Sequence, residues 1–137
     1  MHRFELRVRY GDTDQMGWVY YANYLRWFEI GRAEMLRSLG RTYREVEESG
    51  VWLPVLEAQC RYHEGARYDD LVAIESAVAE LRKASVVFSY RVVRAADGVL
   101  LATGMTRHCF LGRDGKPVRA PDALREKLEQ APRSPRF

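Results

Sequence analysis

Four strand-like runs follow one another between Val51 and Leu111 with only short breaks, and one long amphipathic stretch precedes them. The runs are Val51 to Tyr62, Asp70 to Leu81, Ser85 to Arg94 and Val99 to Leu111, and connections this short imply antiparallel strands. Asp97-Gly98 joins the last two as a hairpin of the type whose central residues both need positive φ. Ahead of them Phe4, Leu6, Val8 and Tyr10 alternate with Glu5, Arg7 and Arg9, the period of a half-buried strand. Next, Tyr21, Tyr24, Leu25, Phe28, Met35, Leu36 and Leu39 follow helical spacing from about Trp18 to the stop at Gly40. Gly31 falls inside that helix, where glycine costs about 1 kcal/mol relative to alanine, so close packing of its backbone on a sheet is expected. A short helix over Tyr43 to Ser49, a turn at Asp114-Gly115-Lys116-Pro117 and a terminal helix over Pro121 to Gln130 complete the pattern. A tail from Ala131 to Phe137 is expected to fray. The order predicts an α+β fold, one domain over residues 1 to 137, with a helix covering one face of an antiparallel sheet.

A chain of 137 residues buries enough surface to fold without disulfides or metal. Its apolar runs, such as Val99 to Ala102, fall far below the roughly 18 residues of a membrane span. Of 22 basic and 19 acidic residues, the last 19 positions hold 5 and 3, leaving 17 against 16 before them. No basic face for nucleic acid is expected from so even a balance. Met1-His2-Arg3-Phe4-Glu5 shows no leader pattern, which reads as a cytoplasmic protein. Cys60 and Cys109 read as buried thiols, and His2, His63 and His108 are too scattered for metal-ligand spacing, so neither metal nor cofactor is expected. Phosphate-cradling glycine loops and the G-x-S-x-G and H-E-x-x-H motifs are absent.

The stretch Tyr10-Gly11-Asp12-Thr13-Asp14-Gln15-Met16-Gly17-Trp18-Val19-Tyr20-Tyr21-Ala22-Asn23-Tyr24 puts two carboxylates immediately before a helix. Unpaired N–H groups at a helix start favour a carboxylate and would equally favour an oxyanion on a bound carbonyl. Spacing alone leaves two readings open. Either aspartate can be a helix cap, and the aromatics Trp18, Tyr20, Tyr21, Tyr24 and Trp27 can be core, interface or substrate pocket.

These residues resemble the signature of the hotdog-fold acyl-CoA thioesterases of the 4-hydroxybenzoyl-CoA thioesterase type. The matching positions are Tyr10, Asp12, Asp14, Gly17, Val19, Tyr20, Tyr21 and Tyr24. Phe28-Glu29, Gly31-Arg32, Tyr68-Asp69-Asp70 and Gly115-Lys116-Pro117-Val118 are similar too, so the likeness spans about residues 4 to 130. It implies an antiparallel sheet wrapped around one long helix and hydrolysis of an acyl-CoA thioester. It further implies Asp14 as the catalytic carboxylate and the Tyr21 backbone N–H as oxyanion donor. Gly17 is expected to let backbone or substrate approach closely, and Asp12 to cap or hold the loop. Arg82 and Lys83, with Arg94 and Arg113, are candidate contacts for the CoA phosphates, and Ser85 for the pantetheine arm. The resemblance also implies a homodimer joined edge to edge, or a homotetramer, with the site near the subunit boundary.

Two departures from the family pattern stand out. Tyr21 occupies a place where many members carry His, and Glu64-Gly65-Ala66 stands where a proline-containing turn is frequent. Two other functions fit the same fold: an acyl-CoA-binding module without turnover, and a dehydratase, which the lack of a histidine in the Asp14 motif disfavours.

Overall fold

The structure is a computed structural model and describes residues 1 to 135. β1 (His2–Arg7) runs through a single 3-10 turn (Tyr10–Asp12) and a loop into α1 (Asn23–Ser38). Then come α2 (Tyr43–Glu48), β2 (Val51–Trp52), β3 (Val55–Tyr62), β4 (Leu71–Leu81), β5 (Ser85–Arg94), β6 (Leu100–Cys109), β7 (Leu111–Gly112) and α3 (Asp122–Gln130). Five strands form one sheet in the order β1-β4-β5-β6-β3, every neighbouring pair antiparallel, while β2 and β7 pair separately. This is the expected α+β hotdog arrangement, with the sheet around α1. No helix among the described residues is long and apolar enough to cross a membrane.

Close contact between α1 and the sheet follows from two residues. At Gly31 an added Cβ would lie 2.5 Å from both Ile74 Cγ2 and Ser76 Oγ of β4, so the helix backbone rests on the strand as its glycine foretold. Three residues earlier the Phe28 ring stacks on Tyr90 of β5, centroids 4.4 Å apart and 5° from parallel. Beneath them the Tyr90 hydroxyl meets Thr106 Oγ1 at 2.6 Å, and Thr106 in turn lies 2.8 Å from His108 Nε2. His108 Nδ1 reaches the Leu53 carbonyl at 3.1 Å. Burial, together with the nearby Arg32 guanidinium, lowers the His108 pKa to about 4, so a neutral imidazole fills this place.

Several boundaries differ from the sequence reading. Tyr10 is 81% exposed in the 3-10 turn rather than on the inward face of β1, which ends at Arg7. The helix starts at Asn23, not near Trp18, and Tyr21 and Leu25 are exposed while Trp27 and Arg32 are buried in their stead. Pro54 has no N–H for a ladder and separates β2 from β3 within the run Val51 to Tyr62. At the β5–β6 turn only Gly98 has positive φ, because Gly98 N donates to the Arg94 carbonyl across a longer loop than the two-residue type requires. Pro121 precedes α3 as its cap. Residues 131 to 134 are docked, not frayed. Ala131 is buried, Val78 N donates to the Pro132 carbonyl (2.8 Å), and Ser134 N donates to the Val78 carbonyl (3.2 Å). Residues 136 and 137 of the expected frayed tail lie outside the described residues. Cys109 is buried as expected, but Cys60 is only half-buried, and both thiols are free.

Candidate active site

The loop after β1 gives its two aspartates different work. Asp12 is buried; its Oδ2 accepts from Arg9 N (2.9 Å), and its carbonyl accepts from Tyr20 N (2.8 Å) and Asn23 Nδ2 (2.9 Å). Arg26 Nη1 stands 3.8 Å from Asp12 Oδ1. Asp12 therefore fastens the loop to the start of α1. Asp14 is only half-buried, and its Oδ1 accepts from Met16 N at 2.9 Å, closing a side-chain turn. Its Oδ2 accepts from no described residue. Neither aspartate caps α1, whose N-cap is Ala22 without a side-chain bond.

The chain reverses at Gly17, whose φ of +82° is a left-handed conformation open to glycine. Its absent Cβ would meet only Arg67 Nη1, at 3.6 Å, so the turn rather than close packing within the chain selects glycine. The return strand then ties back: Asp14 N donates to the Trp18 carbonyl (2.8 Å), and Val19 N to the Ala66 carbonyl (2.9 Å).

Winding begins before α1 proper. Asn23 N donates to the Tyr20 carbonyl (2.9 Å), Tyr24 N to the Tyr21 carbonyl (3.3 Å) and Leu25 N to the Ala22 carbonyl (3.2 Å). Tyr21 sits in this first turn, where N–H groups have no preceding carbonyl to bond, and its own N–H has no acceptor among the described residues. The opposite side of Tyr21 is held: the Tyr62 hydroxyl at the end of β3 donates to its carbonyl at 3.0 Å.

Asp14 and Tyr21 face one cleft of about 410 Å³. Met16, Trp18, Val19 and Tyr24 complete the wall from the loop and helix, and Tyr62 at the end of β3 closes it with residues 63 to 65 that follow. Burial raises the Tyr24 phenol above its ordinary value. Burial, with the neighbouring Cys60 thiol, raises Tyr62 as well. Both hydroxyls are therefore neutral; Tyr62 donates to the Tyr21 carbonyl, and Tyr24 accepts from Ala66 N (3.4 Å). Among the described residues no cluster of three or more His, Cys, Asp or Glu could hold a metal ion.

Sequence reasoning missed the wall formed by Tyr62, His63, Glu64 and Gly65. His63 Nε2 lies 3.3 Å from Thr103 Oγ1, and its backbone N donates to the Leu101 carbonyl at 2.8 Å. A histidine thus shares the cleft with Asp14 although none lies in the Asp14 motif, which removes the ground on which the dehydratase reading was set aside. The departure at Glu64-Gly65-Ala66 was the available signal.

The remaining expected contacts lie elsewhere in the chain. Arg82, Lys83 and Ser85 sit in the β4–β5 hairpin, whereas the Asp14 loop adjoins the opposite end of β4 through the Arg7–Leu71 pair. Ten residue steps at about 3.3 Å each set the two ends roughly 33 Å apart. Arg82 Nε pairs with Glu80 (3.5 Å), and the Arg82 and Lys83 carbonyls accept from Arg125 Nη1 and Ala120 N. Arg94 is near the cleft but committed: Nη1 bonds Asp97 (3.0 Å), Nε bonds Asp70 (3.4 Å) and Nη2 bonds the Gly65 carbonyl (3.4 Å). Arg113 reaches the Glu48 carbonyl beside α2.

Comparison with known proteins identifies the family and the fold. The family model of the thioesterase-like superfamily matches residues 8–128. A putative esterase of Aquifex aeolicus is 33% identical over 126 residues, covering 92% of this chain and 96% of the relative. The acyl-CoA thioesterase YbgC of Haemophilus influenzae is 36% identical over 123 residues, 89% of this chain and 90% of that protein. Among solved structures, the DHNA-CoA thioesterase of Staphylococcus aureus superimposes with a TM-score of 0.88 at 28% identity, covering 93% of this chain and 88% of that one.

Proposed function

The chain belongs to the thioesterase-like superfamily, and on that premise we propose that it hydrolyses an acyl-CoA thioester to a free carboxylic acid and CoA, without metal or redox cofactor. One observation carries the reading: Asp14, whose Oδ2 has no partner among the described residues, and Tyr21, whose N–H has no acceptor among them, line the same aromatic cleft. A thioester carbonyl bound between them meets an attacking group on one side and a hydrogen-bond donor on the other.

The chemistry needs little else, because a thiolate leaves readily. Asp14 Oδ2 either bonds to the carbonyl carbon or takes a proton from a water that does so. The carbonyl π electrons move onto oxygen, where the Tyr21 N–H stabilises the charge; a donor of this kind is worth about 10²–10³ in rate. Collapse breaks the C–S bond, and the electron pair departs on the CoA sulfur. In the first route the acyl–Asp14 anhydride is then opened by water. The donor peptide is held through its Tyr20 carbonyl, which accepts from Asn23 N, and the peptide after it through the Tyr62 hydroxyl on the Tyr21 carbonyl.

The unit that works is a dimer. β3 forms one edge of the sheet and leaves Val55, Leu56 and Tyr62 exposed, an edge that soluble proteins usually cover. Two copies pairing β3 to β3 about a two-fold axis run antiparallel, so each subunit's hairpin end comes to its partner's Asp14 end. That reversal reconciles the roughly 33 Å within one chain with Arg82, Lys83 and Ser85 as contacts for the CoA arm.

A thiol-release assay over short, medium, long and aromatic acyl-CoAs tests the proposal. Release with at least one of them supports hydrolysis. Tight binding of acyl-CoA without release would mean a binding module instead.

A further inference from the structure

Trp18 does two jobs at the cleft. Its carbonyl accepts the Asp14 N–H (2.8 Å), so its backbone belongs to the catalytic loop, while its indole forms part of the cleft wall. The indole lies against Gly65. A Cβ at residue 65 would stand 3.1 Å from Trp18 Cγ, 3.2 Å from Cδ2 and 3.4 Å from Cδ1, tighter than side chains normally pack.

The floor beneath the indole is braced. Trp18 bridges to Arg67, whose guanidinium carbon is 5.8 Å from the ring centroid, and Arg67 N donates to Asp70 Oδ2 (2.9 Å). Arg94 holds that same Asp70 oxygen and the Gly65 carbonyl. A Cβ at residue 65 therefore crowds the indole by a few tenths of an ångström, and since both residues line the cleft, the open cleft is where the displaced ring has room to go.

We propose that the Trp18–Gly65 contact is the width gauge of the acyl site: the indole, drawn back onto bare backbone, sets how broad an acyl group the cleft admits. The proposal rests on the cleft being the acyl site. Neither residue takes part in the chemistry; Trp18 and Gly65 are specificity-determining residues.

Binding of non-hydrolysable CoA thioethers tests it apart from turnover. Isothermal titration gives the affinity ratio of S-(naphthylmethyl)-CoA to S-benzyl-CoA for the full-length wild type, Gly65→Ala, Trp18→Leu and Trp18→Ala, each checked for a cooperative melt. Removing the indole should raise the ratio about tenfold and Gly65→Ala should lower it about tenfold, the scale on which pockets discriminate by size. A merely structural role would weaken both ligands equally and leave the ratio unmoved. Ratios within twofold of wild type in folded variants, or movement of the two sets in the same direction, would overturn the gauge, as would failure of the wild type to bind either thioether. Ratios that move oppositely in a protein releasing no thiol from any acyl-CoA would uphold the gauge and refute the hydrolase.

Discussion

Asp12→Asn separates structure from chemistry in the paired carboxylates. Asn keeps an oxygen for the Arg9 N–H but loses the charge, and with it the charge-assisted part of that bond and the attraction of Arg26 at 3.8 Å. Arg26 is mostly exposed, so its share is small; weakening the buried bond dominates, and the sum is about 1–2 kcal/mol. An unfolding entropy of about 2.1 cal/mol/K per residue over 137 residues amounts to roughly 0.29 kcal/mol/K. Tm should therefore fall by about 3–7 °C. Calorimetry reads the melt, and thiol release at 25 °C reads kcat on the folded protein. Since Asp12 does not border the cleft, kcat should stay within about threefold, under ~1 kcal/mol of barrier. An unchanged Tm with a hundredfold loss of kcat would refute the division of labour between the aspartates.

Tyr21→Phe should keep kcat within about threefold, because the donor is the amide and not the phenol; a hundredfold loss in folded protein would transfer the role to the hydroxyl. Arg82→Ala should raise KM for an acyl-CoA about tenfold while sparing the matching acyl-pantetheine, and equal effects on both would remove Arg82 from the CoA site. Sedimentation at micromolar concentration should show a dimer or tetramer, whereas a monomer would contradict the β3 pairing. His108 is held below its ordinary pKa, at about 4 against 6.5, so its contribution is present above pH 6.5 and lost as pH falls toward 4, about 3 kcal/mol in all. Melts from pH 7.5 to 4.5 should show a decline that His108→Gln flattens, and an identical slope in both proteins would contradict this.

What the sequence revealed was periodicity and its punctuation. Alternation marked β1, the aromatic and aliphatic spacing marked α1, and Gly31 announced the contact with Ile74 and Ser76. Less legible was the boundary between helix and site. Tyr21 follows helical spacing with Tyr24 and Phe28, yet it is 61% exposed, because that part of the stripe lines a cleft rather than a core. Arg32 looked like a solvent residue by type but is buried under α1 beside Tyr90 and His108. The far wall of the cleft was invisible for a different reason: Tyr62 meets Tyr21 across 41 positions, and no local pattern encodes that meeting. Likewise Arg82 and Ser85 resemble ligand contacts in one dimension, while the length of β4 separates them from Asp14 in a single chain.

Single-turnover thiol release by Asp14→Asn, compared with wild type on the best acyl-CoA found, tests the account most directly. The substitution preserves size and the oxygen that accepts from Met16 N, and removes only the carboxylate charge and its nucleophilicity. With Tm within a few degrees and S-benzyl-CoA affinity within about threefold, the rate should fall by ~10²–10⁴. A folded, substrate-binding Asp14→Asn protein that releases thiol within threefold of the wild-type rate would contradict Asp14 as the catalytic carboxylate.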